Sequence, residues 1–598
     1  MTSFSHPDDS GSGEATARLA EREQPGAAGP ATSQHWLRRP VLQGTLALVI
    51  YLAAWIPTAF WDVIRHASRA TLFQQSMDPN FYVWCLRWWP YAIAHGLDPL
   101  YSHQIAAPAG HSLAWVTTVP PLALLAAPLT LGAGPVAAFN WLCAAALPIS
   151  ALVAFILCRR LTGKFFPALV GGAVFGFSAY EMNHVAAGQL NLTYSLLVPV
   201  LAYLVVVWWQ EAISSRAFVI LAALVMAVQF YLFEETFADL TAILVVALVV
   251  AFLLAGQEHR HAIVRLAKVT GIAYAAAIVA AIPYLAFSLT SKPPNPALVS
   301  TGMDLASLIV PRPGRTYGIG WLAQAAGRQA QASPASTACY IGIPLLLVLL
   351  LLAVTYWSNR LVRFLTCMIA FIIVAALGPA LHVDGHEVVR LPWASLWDLP
   401  ILRNAYPARL MLFAFLALAV ATALFLAGPA RQLRWVKWPL AVLVALFVVL
   451  DAVPVSTLPH TSVPAFISNG TYLRKLTPGE TVVVVSSVGN AGMLWQAQSG
   501  FYMRLAGGYI NAGLNNRTDL PQQVQNLAAA SPASVAAFER YVRTDRIGAV
   551  LVDMIHEPQW VGIFWRMGLR GHKIDHVIVY QLNGCRTCRA LTSSELRS

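Results

Sequence analysis

The sequence predicts a mostly α-helical polytopic membrane protein, with about eleven transmembrane helices and a small α/β domain at its C-terminal end. Three observations predict it. The 598 residues are 58% hydrophobic and only 11% charged, far below the charged share of ordinary soluble domains. Apolar runs long enough to cross a hydrocarbon core recur along most of the chain. Lys and Arg gather in alternate short turns between those runs, the asymmetry that orients membrane helices. A net charge of +12 would suggest nucleic acid in a soluble protein, but this distribution excludes that partner and leaves the lipid bilayer. Seven cysteines are too few for a disulfide framework, and only Cys585 and Cys588 stand close together in sequence.

Residues 1–37 are rich in Gly, Ser, Ala, Glu and Pro without an apolar period, and are expected to form a disordered cytoplasmic tail. The first apolar run, about 41–61, follows Arg38-Arg39-Pro40 and is long enough to span, so it reads as a membrane helix and not as a cleavable signal. The arginines before it place the N-terminus in the cytoplasm. Further spans are expected at 136–157, 166–180, 189–209, 217–233, 237–255, 266–287, 338–357, 362–381, 408–427 and 438–455. Arg159, Arg160 and Lys164, then Arg216, then Arg260, Arg265 and Lys268, then Arg360 and Arg363, and finally Arg431, Arg434 and Lys437 occupy alternate turns. All are cytoplasmic if 115–131, interrupted by Pro120, Pro121 and Pro128, is a re-entrant or surface helix on the outer side. This gives a transmembrane domain over 38–455 with a first outer loop at 62–114, and leaves 456–598 outside. In that last part Thr481–Ser486, Ile547–Val552 and His576–Tyr580 have buried-strand patterns, which is why an extracytoplasmic α/β domain is expected.

Polar chemistry is thereby gathered on the outer face, around the first loop. The loop contains Met77-Asp78-Pro79-Asn80 and then an aromatic helix with Trp84, Trp88 and Trp89, expected to seat itself at the membrane surface. Pro120-Pro121-Leu122 follows, then Gly134 to Lys164, which ends in Arg-Arg-Leu-Thr-Gly-Lys; much later Leu402-Arg403-Asn404-Ala405-Tyr406-Pro407-Ala408-Arg409 precedes a span. This order resembles the membrane glycosyltransferases of the C class (GT-C), such as protein O-mannosyltransferases and lipid A aminoarabinose transferases, and most of all the bacterial YfhO-like branch. The resemblance covers roughly residues 41–455 as architecture. It implies an integral glycosyltransferase of a bacterial plasma membrane that moves a sugar, with inversion, from a polyprenyl-phosphate carrier to an envelope glycan, lipid or protein on the outer face. The near-adjacent acidic pair of that class is absent, since Asp78 is followed by Pro79 and Asn80. That departure argues for one base and no metal cofactor.

Asp78 is the candidate catalytic residue, because an attacking hydroxyl must lose its proton and one positioned carboxylate suffices as general base. Asp before Pro is also a helix start, with Asp as N-cap and Pro at the first helical position; the two roles are compatible, since a cap fixes the side chain. Glu234, Glu235 and Asp239 join two spans with almost no loop, and Glu235 and Asp239 share a helix face. They are candidates for acceptor or sugar binding, with an ion pair to a loop arginine as the alternative. His184 and Gln189 enclose an outer turn and are candidates for hydrogen bonds to sugar hydroxyls. For the donor phosphate the candidates are Arg403, Arg409, Arg312 and Arg315, whose guanidinium forks fit phosphate oxygens better than Lys292 does; Arg409 could equally snorkel to headgroups. His95, His103 and His111 lack helical or strand spacing, so no metal site is expected. Two other functions compete: a transporter or flippase of a lipid-linked substrate, for which the expected internal repeat is not seen, and a non-catalytic envelope-assembly scaffold.

Overall fold

The computed structural model describes residues 33–57, 61–74, 76, 78–291, 302–316, 318–395, 405–429, 433–450, 460–488, 490–508, 521–529 and 531–582. Most of the expected tail, together with Lys292, Arg403, Cys585 and Cys588, lies outside them. Among the described residues, six helices are long and apolar enough to cross a membrane: Pro135–Thr162, Leu190–Trp209, Ser215–Leu232, Glu234–Leu254, Gln257–Thr290 and Pro407–Ala427. Phe165–Gly176 and Ala179–Ala187, bent by 43°, make a seventh if they form one span. Pro40–Trp55, Ile343–Tyr356 and Trp435–Leu446 are shorter apolar helices, and Arg360–Ala376 buries Val362, Leu365, Ile369, Ile372 and Ala376 along one side.

Helices thus stand at each of the eleven expected places, but among the described residues six or seven have the length and composition of a full span. Backbone chemistry explains part of the shortfall. Gly342, at φ 81°, and Pro344 start the helix Ile343–Tyr356 late, which leaves it 14 residues or roughly 21 Å at 1.5 Å per residue, short of the roughly 30 Å of a hydrocarbon core. Between 115 and 131 the chain forms Pro120–Leu125 and the start of Ala127–Ala133, of six and seven residues.

The helix Pro135–Thr162 is the packing centre. It holds Phe165–Gly176 close because Gly172 and Gly176 have no side chain: a Cβ there would stand 2.6 Å from the Ala151 carbonyl oxygen and 2.3 Å from the Ala151 nitrogen. Exposed Trp209, Trp357, Trp435 and Trp438 lie beside the basic turns at one end of the bundle, the placement of an interfacial aromatic belt.

The C-terminal part is built on a five-stranded sheet in the order His572–Ile574, Val577–Gln581, Ile547–Asp553, Thr481–Val485, Arg504–Leu505. Thr481–Val485 runs parallel to both its neighbours, whereas Val577–Gln581 is antiparallel to both of its own. Every residue of Thr481–Val485 and Ile547–Asp553 is buried, which is why these strands read as near-continuous apolar runs.

This sheet is tied to the first loop. Ala70–Thr71 pairs antiparallel with Thr461–Ser462, and the helix Ala491–Gln498 packs on the loop helix Pro79–Ala94. Trp84 and Trp88 stack at 5.2 Å, each 5.7 Å from Phe501, and are 0% and 1% exposed. Trp84 Nε1 donates to Gln496 Oε1 at 2.7 Å, and Trp89 Nε1 to Thr118 Oγ1 at 3.1 Å. The expectation that these tryptophans seat the helix at the membrane surface is therefore overturned. Their amphipathic rings meet the chain's own C-terminal part and its loops instead.

Candidate active site

Asp78 stands at the N-cap of the helix Pro79–Ala94 with Pro79 at the first helical position, yet its side chain makes no capping bond. It turns to a neighbour 111 residues away: Gln189 Nε2 donates to Asp78 Oδ2 at 2.8 Å. Behind it, His184 Nδ1 meets Gln189 Oε1, also at 2.8 Å. The network assigns the protons. A carboxylate only accepts, so the Gln189 amide must face it with its NH2, and its carbonyl then takes the proton of His184 Nδ1. This tautomer leaves His184 Nε2 with a lone pair.

Local sequence explains how the three meet. Ser178 caps the helix Ala179–Ala187, accepting from the Glu181 N–H, and Gly188 ends it at φ 67°. A Cβ on Gly188 would fall 2.3 Å from the Phe73 carbonyl oxygen and 2.7 Å from Pro79 Cγ. Only glycine both accepts this backbone conformation and lets the turn lie against the start of the loop helix. Ser76 braces the junction from the other side, accepting from the Asp78 N–H at 3.1 Å and donating to the Ala187 carbonyl at 2.7 Å. Asn140, fully buried on the central helix, holds the entry to the loop by accepting from the Leu72 N–H and donating to the carbonyls of Ala67 and Ala70.

A second group lies within electrostatic reach. Glu235 pairs with Arg409 through Oε2 and accepts the Tyr406 N–H on Oε1 at 2.9 Å. The guanidinium lies over the rings of Tyr406, at 4.4 Å, and Phe233, at 5.1 Å. With the two side chains 19% and 18% exposed, the pair is largely desolvated. Both Glu235 oxygens are thus engaged, in the arrangement the sequence offered as the alternative to acceptor binding. Asp239, one turn on, interacts electrostatically with Glu235 and Arg409, and Arg409 with Tyr180 and His184. The Tyr180 and His184 rings stand 4.4 Å apart and connect the two groups.

Glu234 belongs elsewhere. Its carboxylate interacts with Tyr284 and Thr117 and it lines a cavity of about 310 Å³ with Trp89, Asp98, Thr118 and Tyr231. Arg312 and Arg315 follow the short helix Leu305–Leu308, Arg312 buried and Arg315 half-buried. Their loop is pinned by Asp304, whose carboxylate accepts the backbone N–H groups of Ala306, Asp384 and Gly385. Arg403 lies outside the described residues.

Sequence reasoning gave no role to Glu181, which is 0% exposed and accepts from Ser195 Oγ one turn before His184. The signal was present, since a carboxylate inside an apolar stretch is costly and rarely idle. Tyr180 carried no such signal. Among the described residues no group of three or more His, Cys, Asp or Glu side chains could hold a metal ion.

No protein-family model matches the sequence, and no curated protein matches it. Solved structures do share its fold. The apo oligosaccharyltransferase of Archaeoglobus fulgidus superposes with a TM-score of 0.53 at 12% identity, covering 87% of this chain and 71% of that one. The same organism's AglB in complex with an inhibitory peptide and a dolichol-phosphate gives 0.53 and 12%, over 91% and 74%. The mycobacterial arabinofuranosyltransferase AftD gives 0.53 and 13%, over 90% of this chain but only 40% of its own length. Identities this low carry the fold and nothing finer. The chain has the multi-pass membrane fold of the GT-C glycosyltransferases.

Proposed function

We propose that this protein is an inverting membrane glycosyltransferase that moves a sugar from a polyprenyl-phosphate carrier to a hydroxyl of a cell-envelope glycan, lipid or protein, with Asp78 as general base. One observation carries the reading: a carboxylate placed to cap a helix is instead held by Gln189, itself held by His184. Gln189 fixes Oδ2, which leaves Oδ1 to take the acceptor proton. The acceptor oxygen then bonds to the anomeric carbon as the bond from that carbon to the phosphate oxygen breaks, and the electron pair leaves with the polyprenyl phosphate. Asp78 is left protonated.

Arg409, fixed by Glu235 between two rings, supplies positive charge for the leaving phosphate. Arg312, Arg315 and Arg403 are further cations for the carrier on the outer loops. His184 Nε2 and Asp239 are offered to sugar hydroxyls, and the Glu234 cavity to the acceptor. The base step as written needs one carboxylate and no metal. The dolichol-phosphate and peptide in the AglB complex support a lipid-linked donor and an extended acceptor. The basic turns support a bacterial plasma-membrane protein with its N-terminus cytoplasmic and its C-terminal part outside.

The test uses the full-length protein in vesicles with a panel of polyprenyl-phosphate-linked sugars. Asp78→Asn should lower kcat about 100- to 10,000-fold with an unchanged Tm. Transfer at the wild-type rate by this variant would end the assignment of the base. Mass analysis of envelope glycans in a deletion strain, read for accumulated donor and missing product, names the two substrates.

A further inference from the structure

A second cavity, of about 480 Å³, opens at the far end of the bundle. It lies between the helices Leu190–Trp209, Glu234–Leu254, Gln257–Thr290 and the start of Arg360–Ala376. Glu234, next in the chain to Glu235 of the candidate active site, and Leu254, in the wall of this cleft, end the same helix; twenty residues at 1.5 Å each separate them by roughly 30 Å, the depth of a hydrocarbon core.

The interior is aliphatic and aromatic, with Val205, Leu244, Leu248, Ala251 and Phe364 among its walls. The mouth is different. Arg360 Nη1 lies 2.6 Å from Glu258 Oε1 and 3.3 Å from His259 Nδ1, and these three side chains are about half exposed. Trp209 lies parallel to the His259 ring at 6.2 Å. Arg260 and Arg265 lie over Phe252 and Trp208, and Lys268 follows on the same helix. Glu258 is the single carboxylate of the stretch 257–268 and is outnumbered by these cations; Glu211 and Arg216, in the turn beyond Trp209, offset each other.

An apolar slot with an aromatic rim and a cationic mouth at one boundary of the bilayer fits a lipid that carries negative charge. A neutral lipid would leave unbalanced the positive charge that Glu258 alone does not offset, and a soluble ligand would meet almost no polar wall inside. We propose that this cleft binds an anionic phospholipid of the leaflet at that end, with one acyl chain in the slot and the headgroup phosphate on Arg360 and His259. The inference rests on the membrane placement given under Proposed function, where this end is cytoplasmic, and not on the transfer chemistry.

The test equilibrates the delipidated full-length protein with vesicles of phosphatidylcholine alone, of phosphatidylcholine with phosphatidylglycerol, and of phosphatidylcholine with polyprenyl phosphate, then counts retained lipid by native mass spectrometry. The wild type should retain one phosphatidylglycerol in preference to phosphatidylcholine. Ala247→Trp, which fills the slot, should abolish that retention, and Arg360→Gln, at a half-exposed site that leaves the slot intact, should lower it roughly fivefold. Equal retention of the neutral and anionic phospholipids, preferential retention of polyprenyl phosphate, or unchanged retention by either variant would overturn the site. No sugar transfer enters this readout, so it stands or falls separately from the activity of Asp78.

Discussion

A carboxylate at a helix N-cap ordinarily accepts from the backbone N–H two or three residues on, and Asp78 forgoes that bond for the Gln189 amide. If Gln189 orients the base, Gln189→Leu removes one hydrogen bond to a charged group, worth about 1.5–3 kcal/mol. The expected result is a roughly 10- to 150-fold fall in kcat with little change in acceptor KM. A fall in acceptor affinity with kcat preserved would make Gln189 a binding residue only. The Glu235–Arg409 pair separates stability from chemistry in another way. Arg409→Met strands a buried carboxylate and should cost about 3–5 kcal/mol, whereas Glu235→Gln combined with Arg409→Met should recover most of the Tm but none of the transfer. Recovery of both would reduce Arg409 to a structural partner. Asp78, Gln189, His184, Glu235 and Arg409 were each legible in the sequence as polar residues near the ends of apolar runs. Their joining was not, because contacts spanning 111 and 174 residues leave no local period to read.

At the scale of the element, the turn from Ala179–Ala187 into Gln189 sets where the Gln189 amide meets Asp78. Gly188→Ala imposes a left-handed conformation on a residue with a Cβ, costing about 1 kcal/mol, and drives that Cβ toward the Phe73 carbonyl and Pro79. Its kcat should fall in step with Gln189→Leu. Gly568→Ala is the control, since φ is 77° there and nothing stands within 4 Å; it should show the backbone cost in Tm without loss of transfer. Equal activity in the two variants would mean that the close approach at Gly188 is not needed. The positions of the apolar helices were readable because their runs are long and continuous. Their lengths were less so, because the glycine and proline at Gly342 and Pro344 cut a run whose hydropathy continues across them. The loop helix was recognised and misplaced for a related reason: tryptophans that suit a headgroup boundary suit a protein interface equally well.

For the whole molecule, the C-terminal sheet closes on the first loop and does not merely follow the last span. Backbone bonds join Leu505 N–H to the Gln104 carbonyl and the Ala106 and Ala107 N–H groups to the carbonyls of Gly507 and Leu505. At their centre is Gln496, 0% exposed, which accepts from Trp84 Nε1 and donates to the carbonyls of Gln104, at 2.6 Å, and Met503, at 2.9 Å. The strands of this region were visible as apolar runs, but their docking on the loop helix depends on a pairing some 400 residues apart, 412 for Trp84 with Gln496. Gln496→Leu keeps the volume and orphans two buried polar groups, Trp84 Nε1 and the Met503 carbonyl, each worth about 1–3 kcal/mol, while the Gln104 carbonyl keeps the Leu505 N–H. Hydrogen exchange should then rise together in 79–107 and 491–507, and transfer should fall although Gln496 is no part of the Asp78 cluster. The coupling is one of position: the loop helix that carries Asp78 at its first turn is held at its middle by Trp84, so freeing Trp84 frees the start of the helix as well. If exchange rises only within 491–507 while transfer holds, the C-terminal part is an appendage and Asp78 is positioned by the membrane helices alone.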